Sequence, residues 1–248
     1  MNLEAWIERL AHDGEAMAVA VERAGLDEPV PTCPGWVVRD LTKHLGMVHR
    51  WATGYVADRR TEMWEVEDDD IVGTWPTDGQ LVDWFRAGHR ALVRALADAD
   101  PDVDYWTFLQ APTPLSMWAR RQAHETAIHR VDAEAVTGSV PTFPVAFAAD
   151  GIDELLVSFI TRRRTKLTAD PPRTMRVTTS DTDGDWLVTI GPEGVITTAG
   201  GRADATVSGP ASDLYLMLWN RHGIDDLQID GDRTVVELFR DRVHVRWS

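Results

Sequence analysis

The sequence predicts an N-terminal all-α four-helix bundle over residues 1–140, followed by a smaller α+β domain over residues 145–248. Three observations lead to this prediction. The first part contains four long segments whose apolar residues recur every three or four positions, which is typical of helices that bury one face. After Pro171, short β-branched segments separated by glycine-containing turns replace that period. Eight of the 11 tryptophans lie at or before Trp118, so the two parts also differ in composition.

A proline-rich loop separates the first two predicted helices. Apolar or small residues recur in steps of four and three from Leu3 to Ala24, which predicts one long amphipathic helix that ends at Gly25. Three prolines and a glycine between Asp27 and Trp36 exclude a helix there and predict a structured loop. The second helix is expected from about Val37 to Arg59.

One face of the second helix is apolar but contains a histidine. The predicted inward residues are Leu41, His44, Leu45, Val48, Trp51, Ala52 and Tyr55. His44 lies within this stripe, whereas His49 falls outside it and is expected to face solvent. A single inward histidine is either a packed core residue or a ligand, and the helix pattern alone leaves both open.

Two further helices complete the predicted bundle. Residues 62–78 are acidic and predict a long irregular connection, either a substrate wall or a solvated loop. Asp78 is expected to cap a third helix, from Leu81 to Asp98. A fourth helix begins at Thr113-Pro114, a cap residue followed by a first-turn proline, and extends to about Val136. Facing side chains of four such helices can build a site.

The C-terminal part predicts a helix followed by short strands and two more helices. The strands are expected to form an antiparallel meander, because turns with Asp-Gly, Gly-Pro and Gly-Gly separate them. The helices are expected at residues 147–167, 214–219 and 234–239, and the strands at 174–179, 186–190, 194–198, 203–208, 227–229 and 243–247.

Composition limits the partners of this chain. The formal net charge of −15 argues against nucleic-acid backbones and anionic membranes, and a small-molecule substrate, including a carboxylate, is compatible with it. Cys33 is the single cysteine, so an intramolecular disulfide is ruled out, and we expect this residue to be structural and buried in a turn. No signal peptide or membrane span is recognised, so we expect a cytoplasmic protein. The sequence does not indicate an oligomeric state.

The fourth helix contains the most informative pair of residues. Glu125 and His129 lie four positions apart, one turn along the same helix face. Carboxylate oxygen and imidazole nitrogen are the ligands that a divalent transition-metal ion prefers, and His44 of the second helix is the natural third ligand. The alternative is that Glu125 and His129 form a surface pair with neighbouring arginines.

Two passages resemble a known family. The sequence from Thr32 to Leu45 (TCPGWVVRDLTKHL) and that from Arg121 to Glu134 (RQAHETAIHRVDAE) resemble the N-terminal domain of the mycothiol-dependent maleylpyruvate isomerase family, a DinB-like metal-binding bundle. The resemblance implies that His44, Glu125 and His129 bind a divalent ion, usually zinc. The stretch from Asp204 to Asp232 is similar to the sterol-carrier-like domain that follows the bundle in these proteins.

The resemblance also implies a chemistry. Three protein ligands leave an open position, where the thiol of mycothiol would bind as a thiolate. Addition to a cis double bond, rotation and elimination would give the trans isomer, whereas attack on an epoxide or a halide would make a thiol S-transferase. A non-catalytic metal-containing protein that binds an apolar ligand or a protein partner is the alternative, and a hydrolase using metal-bound water is a third candidate.

Two further residues of the fourth helix are predicted to support this site. Arg121 lies one turn before Glu125 and could receive a substrate carboxylate or pair with Asp132. Asp132 could orient either His129 or Arg121 from behind the ligands.

Overall fold

The computed structural model describes residues 1–162 and 167–243. The chain divides into two compact units, residues 1–141 and residues 142–248. The first unit is helical, and the second combines helices with a five-stranded sheet, which confirms the predicted fold class. Within the two described ranges, none of the helices combines the length and the apolar character that a membrane crossing needs.

The first unit contains four long helices and one short helix. They are α1 (Leu3–Ala24), α2 (Val38–Ala57), α3 (Asp68–Val72), α4 (Leu81–Ala97) and α5 (Pro114–Ala135). The connection that was expected to be irregular therefore contains α3, and also a 3₁₀ turn at Asp78–Gln80. The prediction that Asp78 caps α4 is wrong, because its carboxylate instead accepts hydrogen bonds from Arg39 at 2.8 and 2.9 Å.

Capping side chains fix the start of the two longest helices, and one of them, Thr113, was predicted from the sequence. The side chain of Asn2 accepts a hydrogen bond from the Ala5 amide at 3.1 Å at the start of α1. The Thr113 hydroxyl accepts one from the Ser116 amide at 3.1 Å at the start of α5, as the predicted cap requires.

Helix α5 is the buried centre of the first unit. Of its 22 residues, 18 are buried, so the expected single inward stripe is only part of the buried surface. Several of the buried residues are polar or charged, and each must find a partner inside the unit. At the edge of this buried surface, the half-buried Arg130 of α5 and Arg9 of α1 both donate hydrogen bonds to Asp13 of α1, which is fully buried.

The prediction that His49 faces solvent is wrong. Helix α2 packs against both α4 and α5, and therefore has a wider buried face than the predicted stripe. His49 is completely buried, and its Nε2 lies 2.8 Å from the Thr126 hydroxyl of α5. Its ring also packs near those of Phe85 and His89 of α4.

The second unit is an α+β domain with a mixed sheet. Its elements are α6 (Val145–Asp153), a π-helical segment (Glu154–Phe159), β1 (Arg173–Thr179), β2 (Asp185–Gly191), β3 (Gly194–Ala199), β4 (Ala205–Gly209), α7 (Ala211–Leu218), β5 (Gln228–Gly231) and α8 (Arg233–Arg242). The predicted helix 147–167 is thus too long, because its regular α-helical part ends at Asp153. Of the predicted strand 243–247, only Val243 lies within the described residues.

The prediction of an antiparallel meander is correct for β1, β2 and β3, and wrong for β4. The strand order is β3-β2-β1-β4-β5, and β4 pairs with β1 in parallel, with Met175 opposite Ala205. After β3 the chain returns to the far side of β1 through Gly200 and Gly201, which both have positive φ. A Cβ atom at Gly201 would lie 2.8 Å from the Leu187 side chain, so this close crossing requires a glycine.

Candidate metal centre

Two helices of the first unit bring the three predicted ligands together. His44 lies on α2, and Glu125 and His129 lie one turn apart on α5. Glu125 Oε1 is 3.2 Å from His129 Nε2 and 3.6 Å from His44 Nε2. The two imidazole rings have centroids 5.1 Å apart and stand nearly perpendicular, at 80°.

These three side chains match the requirements of a divalent transition-metal site. Their ligand atoms all lie within 4.8 Å of one another. An ion that is about 2 Å from each of them in a tetrahedral site needs ligand separations of about 3.3 Å, which is close to the two distances to Glu125 Oε1. Two imidazoles and one carboxylate are also a ligand set typical of catalytic zinc, which keeps a fourth position open.

The site is largely buried but reachable from solvent. The side chains of His44 and His129 each expose 11% of their surface, whereas that of Glu125 exposes 4%. Trp36 covers part of the site, with its ring 5.1 Å from the His44 ring and stacked at 6.5 Å on the His129 ring. An aromatic side chain of the proline-rich loop therefore lies against both imidazoles.

Burial and polar contacts shift the pKa values of Glu125 and His129 in opposite directions. Burial would raise the pKa of Glu125, but the close imidazoles of His129 and His44 and the charge of Arg121 hold it well below its ordinary value. Burial would lower the pKa of His129, but hydrogen bonds to Asp132 and Glu125 outweigh this effect and raise that pKa to about 9. Without a metal, His129 is thus a cation held between two carboxylates. A divalent ion would replace its Nε2 proton.

Asp132 lies behind His129 and is completely buried. Its Oδ2 is 2.8 Å from His129 Nδ1, and its Oδ1 accepts a hydrogen bond from the Thr32 hydroxyl at 2.5 Å. The Cys33 thiol donates to Oδ2 at 3.3 Å. The expectation that Cys33 is buried is wrong, because the residue is only partly buried and its thiol contacts the carboxylate behind the site. Its structural role stays a prediction.

Arg121 pairs with Glu125 of the same helix. Its guanidinium donates to Glu125 Oε2 at 3.1 Å, on the oxygen that does not face the two histidines. The side chain exposes 0% of its surface, so in this conformation a substrate arriving from solvent does not reach it. Arg121 is placed to neutralise and hold the carboxylate of Glu125.

Sequence reasoning missed four residues around the site: Thr32, Trp36, His49 and Thr126. The first two belong to a loop about 100 positions before Asp132, and no spacing rule relates positions so far apart. The proline-rich composition of the loop indicated a rigid structure, but not what the loop contacts.

Both units match models of one protein family. The mycothiol maleylpyruvate isomerase N-terminal domain matches residues 7–134, which is more than half of the chain, and the C-terminal domain of that family matches residues 146–238. The chain belongs to the mycothiol maleylpyruvate isomerase family. The family suggested by the two sequence passages is therefore confirmed.

Solved structures agree with this family membership at the level of the fold. A crystal structure of a mycothiol-dependent maleylpyruvate isomerase is 15% identical to the chain, with a TM-score of 0.63, and the match covers 93% of each chain. A histidine-to-alanine mutant of such an enzyme is 16% identical, with a TM-score of 0.65 and the same coverage. Among curated proteins, none matches the chain.

Proposed function

We propose that this protein is a metal-dependent enzyme that uses mycothiol as its thiol cofactor. The reaction is an isomerisation of the maleylpyruvate isomerase type or a related thiol S-transfer. The observation that carries the proposal is the convergence of His44, Glu125 and His129 in a chain that matches the family over both of its parts. In this proposal the bundle, residues 1–140, holds the ion, and residues 145–248 form the second domain.

Zinc is the ion that this ligand set favours. When bound, the ion would hold the sulfur of the cofactor as a thiolate near neutral pH. Two neutral imidazoles and one carboxylate contribute a single negative charge, so a divalent ion would leave the site with a net charge of +1. That charge favours a thiolate, whose binding would bring the site to neutrality, although the protein as a whole carries −15.

The surrounding residues have distinct roles in this proposal. Asp132 accepts a hydrogen bond from the Nδ1–H group of His129 and so fixes the orientation of the ring. Nε2 is then the nitrogen that can act as a ligand. Arg121 acts through Glu125 by binding its second oxygen, and does not receive the substrate directly. Trp36 lies beside both imidazoles and excludes water from one side of the site.

A cytoplasmic location is part of the proposal. A low-molecular-weight thiol cofactor works in a reducing compartment, and the same compartment keeps the thiol of Cys33 reduced. The substrate is proposed to be a small molecule with an activated double bond, an epoxide or a halide, and a carboxylate group is compatible with the charge of the loaded site.

The decisive experiment measures metal content and mycothiol binding on the same samples. Wild type is compared with His44→Ala, Glu125→Ala and a control, His12→Ala, which removes a histidine whose side chain is 60% exposed. We expect about one equivalent of metal in wild type and the control, and loss of metal and mycothiol binding in the two site variants.

Two results would contradict the proposal in different ways. Metal content that is unaffected by His44→Ala and Glu125→Ala would mean that these side chains are core packing. A small molecule or protein partner retained by the metal-free protein, with no thiol-dependent turnover in the loaded one, would favour the non-catalytic binding protein.

A further inference from the structure

The proline-rich loop between α1 and α2 reaches the back of the metal centre. Asp132 connects the loop to the site, since its two oxygens accept hydrogen bonds from three side chains. Oδ1 binds the Thr32 hydroxyl, and Oδ2 binds both the Cys33 thiol and His129 Nδ1. The carboxylate is completely buried, so these protein groups replace the water that would otherwise solvate it.

The direction of these hydrogen bonds determines which nitrogen of His129 is available to bind the ion. An ionised carboxylate is only an acceptor, so His129 Nδ1 must carry the proton that it shares with Asp132. In the neutral ring the lone pair is then on Nε2, the atom 3.2 Å from Glu125 Oε1 and on the side of His44. A ligand histidine needs this arrangement, because an imidazole with its proton on Nε2 cannot bind the ion there.

Of the two hydrogen bonds from the loop to Asp132, the one from Thr32 is the stronger. Its bond of 2.5 Å joins a hydroxyl to a carboxylate, whereas a thiol is a weak donor and the Cys33 bond is longer, at 3.3 Å. Thr32 also binds the oxygen that His129 does not use. It therefore prevents the carboxylate from turning about its Cβ–Cγ bond and exchanging the two oxygens.

The loop presents Thr32 from a rigid base. Val30 donates its backbone amide to the Trp36 carbonyl at 2.9 Å, and the Cys33 amide donates to the Val30 carbonyl at 3.1 Å. Pro29 and Val37 form an isolated β-bridge at the base of the loop. Because the loop is closed by its own backbone, the position of the Thr32 hydroxyl depends little on the ion.

From this chain of contacts we infer that Thr32 is a positioning residue for the metal centre. It acts through Asp132, and fixes His129 with Nε2 directed at the ion. The inference rests on the proposed metal site, and it adds a residue outside the ligand set. Cys33 assists Thr32 as the weaker donor.

The test is metal affinity, measured by competition with a chromophoric chelator, in wild type, Thr32→Val and Thr32→Ser. Valine keeps the shape of threonine without its hydroxyl, whereas serine keeps the hydroxyl. We expect Thr32→Val to weaken zinc binding by about 10-fold, in the range typical of residues that orient a ligand. Thr32→Ser should restore affinity close to that of wild type.

Controls separate positioning from folding and from direct ligation. The thermal midpoint of the metal-free protein measures folding, and the absorption spectrum of the cobalt-loaded protein without added thiol shows whether sulfur binds the ion. Affinity unchanged in Thr32→Val overturns the inference, as does a loss of affinity that Thr32→Ser fails to restore. A sulfur-to-cobalt charge-transfer band that Cys33→Ser removes also overturns it, because Cys33, His129 and Asp132 would then be the ligands, as their spacing permits.

This design distinguishes the inference from the proposed function. If wild type itself binds no metal tightly, the proposed function fails before any loop variant is compared. If wild type binds metal and loses it in His44→Ala but not in Thr32→Val, only the role of Thr32 is refuted.

Discussion

The buried histidines on the inner side of the bundle predict that the protein loses stability in mild acid. His49 is completely buried, and burial, with smaller contributions from neighbouring charges such as His89, holds its pKa well below the ordinary value. Burial also lowers the pKa of His89. Both rings are therefore neutral in the folded state, whereas in the unfolded chain each takes up a proton near pH 6.5.

Proton linkage gives the direction and the size of this change in the free energy of unfolding. Because the folded pKa is lowered, the contribution of each histidine is complete above pH 6.5 and is lost as the pH falls below that value. For His49, whose pKa is held well below 6.5, this cost approaches about 1.4 kcal/mol per pH unit and reaches at most about 2 kcal/mol at pH 5. His89 adds to this loss in the same direction, and about 2 kcal/mol is already a sizeable share of the 5 to 15 kcal/mol typical of a domain.

The assay is urea unfolding of the metal-free protein between pH 5 and pH 7.5, in wild type and His49→Gln. Glutamine can keep a hydrogen bond to Thr126, but it does not titrate. The Asp, Glu and other His residues are present in both proteins, so the difference between the two slopes reports on His49 and on its coupling to neighbours such as Glu125 and His129. We expect the slope of unfolding free energy against pH below pH 6 to fall by about one proton in the variant. Equal slopes would refute the reasoning.

Three further predictions concern packing and metal binding. Gly14→Ala should lower the free energy of unfolding by about 1–3 kcal/mol in urea unfolding, because a methyl group there would overlap the His89 ring; unchanged stability would contradict this packing. Asp13→Ala should cost about 3 kcal/mol by the same measurement, since Arg130 would lose a fully buried partner, and a cost below about 1 kcal/mol would show that the ion pair is dispensable. Zinc at 100 times its dissociation constant should stabilise wild type by about 2.7 kcal/mol, seen as a higher thermal midpoint, and should not stabilise His44→Ala; equal shifts in both would exclude His44 as a ligand.

The parts of the fold that depend on local pattern could be predicted from the sequence. The apolar period of α1 and the Thr113-Pro114 cap of α5 are properties of neighbouring residues, and both helices have the predicted start. Glu125 and His129 are one turn apart on any helix, so their proximity was visible in the sequence. His44 was recognisable because it is a polar residue within an apolar stripe.

Contacts that depend on packing between distant segments could not be predicted in this way. His49 falls outside the stripe of α2, and its burial results from α4 covering a second face of that helix. The Thr32–Asp132 hydrogen bond joins residues 100 positions apart. Similarly, the turn glycines showed where strands end, but the parallel pairing of β4 with β1 depends on where the chain crosses the sheet.

The central burial of α5 has a consequence for how fast an ion can exchange. Since 18 of its 22 residues are buried, the backbone amides of this helix should exchange hydrogen only when the whole unit unfolds. In the proposed metal site, two of the three ligands would therefore lie on an element whose backbone opens slowly. We expect metal exchange on a shorter timescale to occur on the side that Trp36 covers. The rate of metal exchange should then respond to substitutions in the proline-rich loop, and not to those that fray only the ends of α5.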